Sequence, residues 1–317
     1  MLSKLFTNWP VVLDTETGQG GTPVYVNVQT LMADSQLVSA LARSSGAKYA
    51  SFGFLRTGSP IGQFTSFDLK EFFDAVGIEE LDIDNGGSGD GVKLYFQKYK
   101  NHASREAYDS SEHMSILIGN GTLFPVSLSM PNQGDAILTA SIIALSADGS
   151  THPFVFSETA DLPSGINPDV DALFTMGKVD LNGTEVQGKS QVTVNFGANP
   201  TTNRSADSDI YPTHVSLDTF TPTIQVVTNH IDITSTLTEE GAYYTASQVT
   251  VYAKKRAEGS SFVPDGTAEH IKFTLGKCRV DVGAIDGDPK NIELNIMPWD
   301  SPGGVAQMAI NTASQIT

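Results

Sequence analysis

The chain has 317 residues, 36 acidic against 19 basic, a formal charge of -17 and one cysteine, Cys278. That balance excludes an ordinary nucleic-acid reader, because phosphate binding needs local cationic charge. A single cysteine excludes an internal disulfide framework and any multi-cysteine zinc site.

In chain order, "MLSKLFTNWPVVLD" carries one lysine and an apolar run broken by Asn8 and Pro10, so no targeting signal is expected. No stretch is apolar enough to span a bilayer as a helix, and a soluble protein is expected. "GQGG" at 18–21 reads as a turn, since no strand and helix flank it as a phosphate cradle requires. "DSQLVSALARSSG" at 34–46 is a candidate helix. A second is "SFDLKEFFDAVG", where Ser66 can cap, Leu69, Phe72, Phe73 and Val76 recur at helical spacing, and Gly77 can terminate. "DIDNGGSGDG" at 82–91 is an acidic, glycine-rich linker. It fails as a calcium loop, because Gly86 and Lys93 stand where oxygen ligands are required.

Beyond this point strands dominate the pattern. "VKLYFQ" from Val92 and "HMSILI" from His113 are β-prone runs separated by about a dozen residues, as in a long hairpin. "TLFPVSLSMP" and "AILTASIIALSADG" continue the strands, and "ETADLPSGINPD" at 158–169 is a second linker. "KVDLNGTEVQ" predicts a tight hairpin at Asn182-Gly183. "SQVTVNFG", "DIYPTHVSLD", "PTIQVVTNHIDI", "VTVYAK" and "HIKFTL" all read as strands. The C-terminal "VAQMAINTASQIT", with Val305, Met308 and Ile310, is uncharged and weakly alternating, and is expected to add to a neighbour's sheet as an arm.

Two of these stretches nearly repeat. Val92, Tyr95, Lys98, Ser104, Glu112, His113 and Gly119 recur without a gap as Val249, Tyr252, Lys255, Ser261, Glu269, His270 and Gly276, all at an offset of 157. Seven identities in 28 positions exceed the one or two of chance, and half the chain length separates them. Two fused β-domains, 1–160 and 161–317, related by duplication, are therefore expected.

The chemistry-bearing residues form no site. Glu112-His113 and Glu269-His270 cannot aim both groups at one ion or substrate, because neighbours on a strand point to opposite faces. The histidines at 102, 113, 152, 214, 230 and 270 lack ligand spacing. "KYK" at 98–100 and "KKR" at 254–256 read as polar strand ends, and Cys278 as a small buried side chain. No catalytic residue, metal or cofactor is expected.

The succession "KVDLNGTEVQGKSQVTVNFGANP", "DIYPTHVSLDTFTPTIQVVTNHIDI" and "SQVTVYAKKR" resembles the tail-tube proteins of long-tailed bacteriophages, over 176–280 and more faintly 60–150. The resemblance implies a mainly β fold of two β-sandwich or barrel domains of the tail-tube type, each with at most one or two short helices. The second copy departs from it, since "IQVVTNHIDI" reads as strand where the first copy has its helix. It implies a virion structural protein whose homotrimers form pseudo-hexameric rings, stacked into an acidic-lined channel through which DNA passes without specific binding. Its partners would be itself and other virion tail proteins, with no membrane. Asp82, Asp84, Asn85 and Asp90 are then candidates for a loop projecting to the adjacent ring or the channel. A capsid decoration or baseplate protein, or a carbohydrate-binding β-sandwich, is the alternative.

Overall fold

Alternating apolar and polar residues favour strands along most of the chain, and the computed structural model is mainly β. It describes residues 6–14, 24–32, 35–40, 52–58, 60–79, 81–84, 91–101, 104–105, 112–162, 173–241, 243–257, 261–286, 291–299 and 307–317. A first series runs β1 (Phe6–Asp14), β2 (Val24–Met32), β3 (Ser35–Ala40), β4 (Phe52–Gly58), β5 (Ile61–Ser66), α1 (Leu69–Val76), β6 (Leu81–Asp84), β7 (Val92–Asn101), β8 (Ser104–Arg105), β9 (His113–Ile118), β10 (Asn120–Pro131), β11 (Ile137–Ala144) and β12 (Phe154–Ala160). A second runs β13 (Phe174–Leu181), β14 (Thr184–Glu185), β15 (Lys189–Asn195), β16 (Ala198–Asn203), β17 (His214–Phe220), β18 (Thr223–Thr228), a 3-10 helix (Ile231–Thr236), β19 (Thr238–Glu240), β20 (Tyr243–Ala246), β21 (Val249–Lys255), β22 (His270–Leu275), β23 (Cys278–Asp286), β24 (Asn291–Pro298) and β25 (Met308–Ser314).

One 16-stranded sheet follows the order β12-β9-β7-β1-β2-β5-β11-β10-β15-β18-β24-β23-β20-β19, with β6 on β10 and β8 on β7. A five-stranded sheet, β14-β13-β21-β22-β25, and the hairpins β3-β4 and β16-β17 complete it. Every pairing is antiparallel.

The two series pair their strands in the same registers. Val92↔Ile118 and Leu94↔Ile116 between β7 and β9 return as Val249↔Leu275 and Val251↔Phe273 between β21 and β22. Gly121↔Ala144 between β10 and β11 returns as Cys278↔Pro298 between β23 and β24, and both pairs of strands slip register at the matching place, Pro125/Ser127 and Val282/Ile285. Ile118↔Phe154 returns as Leu275↔Met308, and β12 and β25 also share their irregularity.

The Glu-His repeat acquires a structural meaning from this register. Both histidines are fully buried. His113 Nδ1 accepts the Lys98 backbone N–H at 3.1 Å, and His270 Nδ1 accepts that of Lys255, also at 3.1 Å. With Nδ1 an acceptor, the proton of His270 is assigned to Nε2, which lies 3.1 Å from the Pro264 carbonyl and donates to it. The glutamates point outward, Glu112 to Lys98 and Glu269 to Lys255 at 2.7 Å. The His270 imidazole thus ties the hairpin's long connection to its first strand, and His113 ties the start of β9 to β7 through the same backbone bond.

Several expectations are corrected. Residues 35–40 of the candidate helix at 34–46 form β3, whose backbone pairs with β4 from Ser35↔Gly58 to Ala40↔Phe52. Pairing with the partner strand overrides the local helical propensity. "IQVVTNHIDI" is a strand only to Thr228, and Ile231–Thr236 is the 3-10 helix. It begins three residues after β18, as α1 begins three residues after β5. Asp68, not Ser66, stands at the start of α1, and Ser66 Oγ accepts the Asp68 N–H at 3.0 Å. Asp82 and Asp84 stand in a strand rather than a loop, their backbones pairing in β6 with Thr122 and Asn120 of β10, while Asn85 and Asp90 lie outside the described residues. The C-terminal stretch completes the chain's own sheet: β25 pairs with β22, Met308 is buried and Ile310 half-buried, and Val305 lies outside the described residues.

Two outcomes follow. His270→Leu, which strands the buried Lys255 N–H and the Pro264 carbonyl, is expected to lower stability by about 3 kcal/mol in urea unfolding, whereas Glu269→Gln leaves the midpoint almost unchanged. Deleting 305–317 exposes β22 and the core beneath it, so loss of a cooperative thermal transition is expected rather than a folded chain lacking an arm.

Candidate assembly interface

The two series meet at a joint inside the chain. Residues 120–123 of β10 pair with β6, and then the strand bulges at Pro125, which has no N–H to offer a ladder. Beyond the bulge it turns the same edge to β15, with Ser127↔Asn195, Leu128↔Val194, Ser129↔Thr193, Met130↔Val192 and Pro131↔Gln191. Leu128, Met130, Val192 and Val194 are all buried, so strand alternation merges the two cores under one sheet.

Beneath that seam lies α1. Its buried face, Leu69, Phe72, Phe73 and Val76, follows helical spacing. Phe73 reaches into the second series, its ring 5.7 Å from Phe196 and 5.6 Å from Phe273, and Phe72 lies edge-on to it at 5.8 Å. Such a buried aromatic contributes about 2 kcal/mol or more by area alone. Asp74, next on the helix, accepts the Thr312 hydroxyl of β25 at 2.6 Å. Nearby, Arg256 pairs with Asp135 at 2.9 Å, and Ala136 N–H donates to the Phe174 carbonyl at 2.7 Å.

A third contact returns from the β16-β17 connection. Gly58 N–H donates to the Ile210 carbonyl at 2.8 Å, Ser146 N–H to the Pro212 carbonyl at 2.9 Å, and Ile210 and Tyr211 N–H both donate to the Gly149 carbonyl. Tyr211 is buried, and a side chain at Gly58 would stand 2.5 Å from its ring. Gly149 takes φ +73°, and Asp148 holds that turn. Its carboxylate accepts Thr151 N–H at 2.7 Å, Ser150 N–H at 2.9 Å and the Ser146 and Thr151 hydroxyls, which keep its pKa well below the usual carboxylate range.

The edges used at the joint recur, unpaired among the described residues, on β23 and β2. In β23, the counterpart of β10, Cys278 to Val280 pair with β20, and the same edge beyond Val280 has no strand beside it among the described residues. In β2, which matches β15 in pairing with the strand that leads to a helix, the edge opposite β5 at 27–32 likewise has none. A flat strand edge is a template for another chain.

Among the described residues no group of three or more His, Cys, Asp or Glu could hold a metal ion. Cys278 is buried and its thiol is pushed up to about 12 by burial. Lys254 pairs with Asp265 at 2.6 Å, and both Lys254 and Arg256 lie over the Phe262 ring, so the basic cluster is occupied. No helix among the described residues is long and apolar enough to cross a membrane. Comparison with protein-family models and with curated proteins finds no match.

Of the site residues named from sequence, Asp82, Asp84, Met308 and Ile310 lie in paired strands, and none stands in the β10-β15 seam. Phe73, Tyr211 and Asp148 were missed. The available signals were the two adjacent phenylalanines on one helix and the Asp-Gly turn.

The Asp148 turn makes the joint pH-dependent. A depressed folded-state pKa means that its contribution is present above the unfolded value of 3.8 and is lost as pH falls from there. Asp148→Asn is therefore expected to lower the unfolding midpoint clearly at about pH 7, with the gap to wild type narrowing toward about pH 2.

Proposed function

We propose that the chain is a structural subunit of a virion tail tube: two fused tube-type β-domains, 1–160 and 161–317, arisen by duplication. The observation that carries this reading is the β10-β15 seam, an antiparallel joint between two like strand series whose matching edges, at 27–32 of β2 and beyond Val280 of β23, have no partner strand among the described residues. A head-to-tail contact of this kind closes into a ring when its rotation permits. Three chains with two units each make a pseudo-hexamer, and stacked rings make a tube. The common register of β7-β9 with β21-β22, and of β10-β11 with β23-β24, supports the duplication.

The solvent face of the long sheet is the proposed channel wall. Ser129, Ser141, Thr193, Gln225 and Asn295 lie on it, with Asp281 and Glu293 as carboxylates. Asn295 donates to Glu293 at 2.8 Å, and with Gln225 holds its pKa below the usual carboxylate range. Hydroxyl and amide groups with scattered negative charge let a polyanion slide past, because no array of cations holds its phosphates. DNA is thus a passenger rather than a ligand, and the chain needs no catalytic centre or cofactor.

Purified protein at high concentration is expected to scatter light as trimers or larger multiples of three, and to give rings or tubes by negative-stain electron microscopy. A strict monomer that adds singly to a shell surface would instead make it a decoration protein.

A further inference from the structure

Phe156 is 59 % exposed although it stands on the core-facing side of β12, two residues after buried Phe154. Its counterpart in the second series explains why. Phe156 pairs with Ile116 as Ile310 pairs with Phe273. Ile310 packs against the core, on the stretch of β25 where Thr312 donates to Asp74 of α1. The second sheet therefore has a helix from the first series along this strand, and the first sheet has none among the described residues. The element matching α1 is the 3-10 helix after β18, and its leading residue, Ile231, is itself 39 % exposed. Two apolar groups are left in water on the two elements whose counterparts lie together within the chain.

We propose that a second copy of this chain completes the contact: the 3-10 helix of one copy lies along β12 of the next, covering Phe156, where β23 of the first pairs with β2 of the second. The proposal rests on the tube reading only in requiring head-to-tail association. The internal joint supplies the register. Leu128 and Ile285 hold the same place, since Leu128 pairs with Leu138 as Ile285 pairs with Ile292. Val194 and Leu31 hold the same place, since Val194 pairs with Ile224 as Leu31 pairs with Gly62. The internal pair Leu128↔Val194 thus becomes Ile285↔Leu31 between copies.

The test combines a crosslink with a surface substitution. Leu31→Cys with Ile285→Cys is expected to form disulfide-linked multimers under mild oxidation, whereas Leu31→Cys with Val282→Cys, displaced from the seam, is not. Phe156→Ser, at an exposed site, is expected to keep the unfolding midpoint and to raise the concentration for half-assembly by about tenfold or more. Crosslinked multimers without rings or tubes would support this contact and sink the tube reading. Rings that form without the Leu31/Ile285 crosslink, and with Phe156→Ser assembling like wild type, would overturn the contact and leave the tube reading standing. A chain that stays monomeric and uncrosslinked at high concentration would overturn both.

Discussion

The backbone ladder between β10 and β15 is the constraint on which the rest of the molecule depends. A strand edge that leaves its N–H and carbonyl groups unpaired beneath other structure is costly, so a fold that brings two sheets together gains most when their edges join. Once they join in this register, Leu128 and Met130 share a side with Val192 and Val194, and the cores beneath must fuse. Phe73 fills the space under the seam against Phe196 and Phe273. The Gly149 turn and Tyr211 then clamp the far side.

The joint is directional. One partner offers β10 and α1, and the other offers β15 and the core-facing side of β22 and β25. A joint of that kind cannot satisfy itself by a two-fold axis, because the two surfaces are different. Its logic is that of a repeat, in which each unit receives on one side and gives on the other. Among the described residues the chain carries one complete instance and two further edges of the same kind without a partner strand, on which the proposed assembly builds.

Residues that look chemical are consumed by this architecture. The imidazoles of His113 and His270 accept backbone N–H groups inside the barrier of the core, and their neighbouring glutamates neutralise lysines at the strand ends. Arg256 and Lys254 sit over Phe262 and against carboxylates.

Much of the fold was legible in the sequence, because alternation, Asn-Gly at the β13-β14 turn and the Leu69/Phe72/Phe73/Val76 spacing are local properties. The Glu-His repeat was legible too, since both histidines perform the same task in the same hairpin. Residues 34–46 misled, because Leu37, Val38 and Ala40 suit a helix or a strand, and only β4 alongside decides between them. The C-terminal stretch misled in the same way, its weak alternation giving no sign of which sheet it completes. Which edge meets which depends on backbone groups that every residue carries alike, so neither the β10-β15 seam nor the uncovered Phe156 leaves a mark in composition or spacing. The sequence by itself determined a β-rich chain with a repeated hairpin. The joint and its Phe73 filler were decided by tertiary structure alone, because they arise from pairing and packing between residues far apart in the chain.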